Sequence, residues 1–199
     1  MGVYKLSAAG GVGTARTNYN SFLAGNPKYV APSYESIATV TVGSGGSSTI
    51  TFSSIPSTYT HLQLRILGKN NAADNGAWNI FLNFNSSAST SNAFHYLLGD
   101  GASASAGAST GNTHCIAGVF AGSTTTTFSN SIIDILDYKN TNKYKTIRSL
   151  NGVDFNGSGS MRFYSSLWQS TQAISSIDIT SEGSKTITQY SSFALYGIK

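Results

Sequence analysis

The stretch GGVGTARTNYNSF at positions 10–22 sets Gly10, Gly11 and Gly13 at the spacing of a phosphate-cradling loop ahead of a short helical pattern. A dinucleotide loop needs a further glycine where helix meets strand, so that the two can pack closely. Arg16 stands there instead, and the Gly-Lys-Ser or Gly-Lys-Thr of a Walker loop occurs nowhere in the chain. Glu35 follows at a distance reminiscent of a ribose-binding acid, but no alternation of strand and long helix comes after it. Residues 107–111, Gly-Ala-Ser-Thr-Gly, fit the G-x-S-x-G nucleophile elbow in letters only. That motif works on a strained strand-to-helix turn, with an acid and then a histidine following in chain order. Here only His114 follows Ser109, with no acid between them and no helix signal. His61, His95, His114 and Cys115 lack the paired spacing of zinc ligands, and the adjacent His114 and Cys115 would point to opposite faces of a strand. Asp134 and Asp137, an odd number of positions apart, would likewise face opposite ways and cannot form a glycosidase pair. No catalytic, cofactor-binding or metal-ligating residue is expected, and the expectation is a protein that is not an enzyme.

The elements that would position any site are short strands. From Ser36 onward the segments SIATVTV, STITF, HLQLRIL, WNIFLNFN, CIAGVF, SIIDILDY, YKTIRSLNGV, SMRFYSSLW, ISSIDIT and FALYGI alternate with period two, separated by Gly, Ser, Asn and Pro clusters. About ten short strands without a long amphipathic helix predict an all-β fold: an antiparallel, jelly-roll-like β-sandwich over residues 35–199. The polar stretch 99–114 reads as a long surface loop.

Alternation sorts the side chains. Leu62, Leu64 and Ile66 should face the core while His61, Gln63 and Arg65 face out, and Trp78, Ile80, Leu82 and Phe84 form a second inward set. In SMRFYSSLW the inward row is expected to be Met161, Phe163 and Leu167. That places Arg162, Tyr164 and Trp168 on the outer face, as an oligomer interface or a glycan platform. Both faces of NSIIDILDY are apolar, with Ile132 and Leu136 on one and Ile133 and Ile135 on the other, which fits a strand covering the core and a neighbouring subunit at once.

Residues 1–34 read as a separate docking arm, extended, with at most a short helix ended by Gly25 and Pro27. Tyr4, Tyr19, Phe22 and Leu23 would anchor it in a partner's pockets, Arg16 would pair with a carboxylate there, and Gly10, Gly11 and Gly13 would let the backbone lie close to the partner. Of the 199 residues only 10% are charged, against the usual ~25%, and the net charge is +4. The basic residues fall into two thin groups: Lys5, Arg16 and Lys28, and then Lys139, Lys143, Lys145 and Arg148 at what reads as a solvated hairpin tip. Neither can track a phosphate backbone, so no nucleic acid is expected. No apolar run approaches the ~20 residues of a membrane span, and no signal peptide is evident, so membrane insertion and conventional secretion are not expected.

Four stretches, YKLSAAGGVGTARTNYNSFLAGNP, SYESIATVTVGSGGSSTITFSSIPSTYTHLQLRI, ILDYKNTNKYKTIRSLNGVDFNGSG and FALYGIK, together resemble a family of tailed-bacteriophage virion proteins common among phages of marine and freshwater bacteria. The resemblance covers nearly the full length. It implies a surface-exposed structural component of the virion, made in the host cytoplasm, with a docking arm, a β-sandwich and no enzymatic activity or cofactor. Its implied partners are other virion proteins of the capsid shell, neck or tail, bound through residues 1–34, and copies of itself in a homotrimer. Relatives can be placed on heads or on tail fibres. The absence of heptads, collagen-like repeats and β-helical repeats favours a head decoration or short head fibre over a long tail-fibre shaft. A host surface glycan, held by a tail-fibre receptor-binding module, is the alternative partner.

Overall fold

The computed structural model describes residues 33–86, 91–124 and 126–199. The docking-arm residues Tyr4, Gly10, Gly11, Gly13, Arg16, Tyr19, Phe22 and Leu23 lie outside the described residues. Glu35–Lys199 form a compact unit. Among the described residues the strands are β1 (Tyr34–Thr41), β2 (Ile50–Phe52), β3 (His61–Gly68), β4 (Ala77–Phe84), β5 (Asn92–Gly99), β6 (Ala104–Asn112), β7 (Cys115–Ala121), β8 (Ser129–Ile135), β9 (Lys145–Asp154), β10 (Gly159–Trp168), β11 (Ile177–Ser181) and β12 (Ser192–Ile198). They form two sheets, one in the order β1-β12-β3-β8-β9-β10-β5-β6 and one in the order β2-β11-β4-β7.

This order is a jelly roll with two additions. Without the hairpins β5–β6 and β9–β10, the eight remaining strands pair first with last inward: β1 with β12, β2 with β11, β3 with β8 and β4 with β7. That is the pattern made by folding the chain into one long antiparallel ribbon and wrapping it into two sheets. The two extra hairpins both join the β8 side of the same sheet, widening it from four strands to eight.

The core forms where the alternating apolar residues of the two sheets meet. Leu62 and Leu64 on β3, Ile133 and Ile135 on β8 and Phe193 and Leu195 on β12 face Ile80, Leu82 and Phe84 on β4 and Ile177 and Ile179 on β11; all are buried. Each such side chain contributes about 1.5–3 kcal/mol by leaving water. The expected inward rows of β3 and β4 are therefore present, except that Trp78 is half-buried: its indole N–H donates to Asp74 Oδ1 at 2.9 Å and Lys185 lies over its ring. Close packing is visible at Gly197 on β12, where a Cβ would stand 2.3 Å from the Tyr59 ring.

Two expectations are corrected. Residues 99–114 are not a loop, because 104–112 form β6, the outer edge of the large sheet. Its partner β5 had no counterpart in the alternation, so the ten predicted strands become twelve by the addition of this hairpin alone. The turn between them is built on Asp100, whose Oδ1 accepts the N–H groups of Ala102 and Ser103, with Gly101 at φ +91°. Nor is the β8–β9 hairpin tip uniformly solvated. Lys145 is fully buried, donating to the carbonyls of Lys143 and Ser170 at 3.0 and 3.4 Å, and that burial lowers the pKa of its ammonium.

Candidate functional site

β10 determines where a site can lie, and its phase is the reverse of the sequence expectation. Tyr164, Ser166 and Trp168 point inward and are buried, while Met161 and Phe163 stand on the outer face, 63% and 57% exposed. Trp168 packs against Phe84 of the opposite sheet, ring centroids 5.2 Å apart, with the Lys145 ammonium 5.8 Å from its ring centroid. The Tyr164 hydroxyl donates to Asn79 Oδ1 on β4 at 3.2 Å and accepts from Arg162 Nη1 at 3.3 Å. Tyr164 and Trp168 thus help join the two sheets, the half-buried Arg162 donates to Ser160 and Tyr164 of its own strand, and the three are not an exposed platform. The physical reason is that apolar residues occupy both phases of this strand, and the inward phase is the one in which both rings find partners: Phe84 beside the indole and Asn79 Oδ1 for the tyrosine hydroxyl.

The face so exposed is built by register. Ile132 on β8, Leu150 on β9, Phe163 on β10, Leu97 on β5 and Ala106 on β6 stand directly opposite one another across five adjacent strands. Ile132, Leu150 and Leu97 are 44%, 40% and 62% exposed. Adjacent strands being about 4.8 Å apart, this is an unbroken apolar row roughly 20 Å long. One flank carries Asp134, Arg148, Ser165, His95 and Ala108 in the same register; the other carries Asn130, Gly152, Met161, Gly99 and Ala104. The row and its polar flank line a shallow concavity of about 940 Å³. Behind it Gly107 lies against the Tyr96 ring, where an added Cβ would come within 2.6 Å, so this close packing requires glycine.

The electrostatics are local. Asp134 Oδ1 accepts from Gln63 Nε2 at 2.8 Å, Gln63 Oε1 accepts from Arg65 Nε at 2.9 Å, and Arg65 lies over the Tyr196 ring. Asp134 and His95 are separated by β9 and β10, hence by about 14 Å, too far for a shared proton or for joint work on one bond. Ser109 lies on β6 and donates to Asn112 Oδ1 at 3.3 Å. His114 stacks on Phe81, its Nδ1 is 2.7 Å from Asn83 Oδ1, and burial lowers its pKa. Cys115 is buried, its thiol pushed up to about 12. Asp137 pairs with Lys143, which holds its carboxyl below the usual value, and its N–H donates to His61 Nδ1 at 2.9 Å. Among the described residues no group of three His, Cys, Asp or Glu is placed to hold a metal ion. The arrangement suits binding of an apolar surface with a polar border.

Sequence reasoning found Ile132 but missed Leu97, Leu150, Phe163 and Met161 as one surface. Asp100-Gly101 was the available signal, since an Asp-Gly pair after the apolar segment 93–98 marks a turn and points to β5, although ASAGASTGN itself gives no sign of β6. Comparisons with protein-family models, with curated proteins and with solved structures found no match.

Proposed function

We propose that this chain is a non-enzymatic structural protein of a tailed-bacteriophage virion, docked to the capsid shell or to the neck or tail by residues 1–34. Its jelly roll is displayed on the particle surface as a decoration or short fibre, and it self-associates, as a homotrimer. The observation that carries this reading is where the family-like stretches fall. Outside the arm they cover β1, β2, β3, the turn from Ile135 into β9 with β9 itself, and β12; of these β1, β12 and β3 are consecutive neighbours in the large sheet, and β9 belongs to the same sheet. The resemblance therefore follows a structural frame, with its chemistry-free strand and turn residues, and does not follow a cluster of reactive groups.

Mass spectrometry of purified particles of the encoding phage tests the location, and particles lacking the chain overturn it. Removal of residues 1–30 should abolish incorporation while the sandwich keeps its melting temperature. Normal occupancy of the truncated protein would defeat the docking role. The glycan alternative no longer has Tyr164 and Trp168 as a stacking platform. It retains the concavity flanked by His95, Asp134 and Arg148, and a flat titration against host surface polysaccharide counts against it.

A further inference from the structure

We infer that the outer face of β8, β9, β10, β5 and β6 is the surface through which copies of this chain bind one another, with the apolar row Ile132, Leu150, Phe163 and Leu97 at its centre and Met161 beside it. The inference deepens the self-association in the proposed function and is independent of the virion location.

Three observations carry it. The first is area. These five side chains each expose between 40% and 63% of their surface. For side chains of the order of 200 Å² this amounts to about 500 Å² of apolar surface, at the upper end of what a monomer leaves to water. With the polar flank and the small side chains of β6 added, the face approaches the ~800 Å² per partner of a standard interface. The second is composition. The row holds one aromatic ring among aliphatic side chains, which matches the apolar centre of a protein interface; a sugar face requires flat rings with carboxylates or amides beside them. Charge is kept out of the row: Arg148, Asp134 and His95 all lie on the flank, where acid and base on neighbouring strands can meet their opposites on a second copy without being buried alone. The third is continuity with an edge. β6 is nine residues long, ASAGASTGN, and carries no charged residue or proline. Among the described residues this strand pairs with β5 alone, and edges of this composition template pairing with another strand, which natural proteins guard against unless they are used. The face and the edge meet at Ala104, Ala106 and Ala108, whose small side chains let a second sheet approach closely.

The test compares the full chain with a Leu97→Glu, Phe163→Glu double variant by sedimentation across a micromolar concentration series, with near-ultraviolet circular dichroism to verify folding. Peroxide oxidation of Met161 in the unmodified chain, timed against free methionine, gives a second readout that requires no variant. The expected result is an associating wild type, a folded variant in which association is weakened on the order of a hundredfold, and Met161 oxidation that slows as concentration rises. A variant that associates like the wild type, with Met161 equally reactive at all concentrations, overturns the assignment of the face and leaves self-association standing. A wild type that is monomeric throughout overturns both, and leaves the virion location to be judged from purified particles. Met161 protected by host polysaccharide in a monomeric chain reassigns the face to carbohydrate and overturns the inference. Protection that persists in the monomer but is lost on removal of residues 1–30 reassigns it to the chain's own N-terminal segment, with the same consequence.

Discussion

Trp168 shows how much a single side chain determines in this fold. It fills the space between β10 and Phe84 and lies beneath the buried Lys145 ammonium. Trp168→Ala would leave a cavity and deprive that cation of its aromatic neighbour. A loss of about 3–5 kcal/mol is expected, read as a lower urea midpoint with circular dichroism of the native form retained. An exposed interface residue would give the opposite pattern, weakened association at unchanged stability. Cys115 makes a separate prediction. Its thiol donates to Asn92 Oδ1 at 3.2 Å, and burial raises its pKa from an ordinary 9.0 to about 12. A group whose pKa is raised on folding stabilises the protein fully below its unfolded value and loses that contribution as pH rises through the folded one. The alkaline loss should therefore fall between pH 9 and about 12 and amount to at most about 4 kcal/mol. Urea titrations over that range should show Cys115→Ala losing less stability than the wild type.

At the scale of elements, what was legible in the sequence followed from how clearly one face differed from the other. HLQLRIL alternates Leu and Ile with His, Gln and Arg, so the phase of β3 could be read directly, and Leu62, Leu64 and Ile66 are core residues as expected. β10 carries apolar residues in both phases, because one face covers the core and the other forms the exposed row. Alternation then gives the strand but not its direction, and the fold adopts the phase opposite to the expected one. β6 was illegible for a different reason. Ala, Ser and Gly have low strand propensity, and their place in the sheet comes from pairing with β5 and from the Asp100 turn, a contribution that local composition does not carry. The same features predict how the elements open. β3 and β8 lie inside the sheet with core residues on their inner faces, whereas among the described residues β6 pairs with β5 alone. In the monomeric Leu97→Glu, Phe163→Glu variant, hydrogen exchange should be slowest at the amides of β3 and β8 and far faster along β6. Comparable protection in β6 and β3 would show that the added hairpin belongs to the cooperative core.

For the whole molecule, the important division is between the surface that makes the fold and the surface left over. The jelly-roll frame buries its apolar residues between β1-β12-β3-β8 and β2-β11-β4-β7, and the added hairpins contribute Trp168 and Tyr164 to the same interior. Leu97, Ile132, Leu150, Met161 and Phe163 contribute nothing comparable within one chain, since each remains at least 40% exposed. Selection for stability alone would place polar residues there, as it does at His61 and Arg65 on β3. If these side chains instead stabilise the fold by binding another copy, the free energy they supply depends on protein concentration, because association favours the folded state by mass action. The melting temperature of the full chain should rise with concentration across the micromolar range. The Leu97→Glu, Phe163→Glu variant should melt at one temperature throughout, close to that of the wild type at its most dilute. A wild-type melting temperature independent of concentration would mean that the apolar row does not couple the stability of one copy to the presence of another.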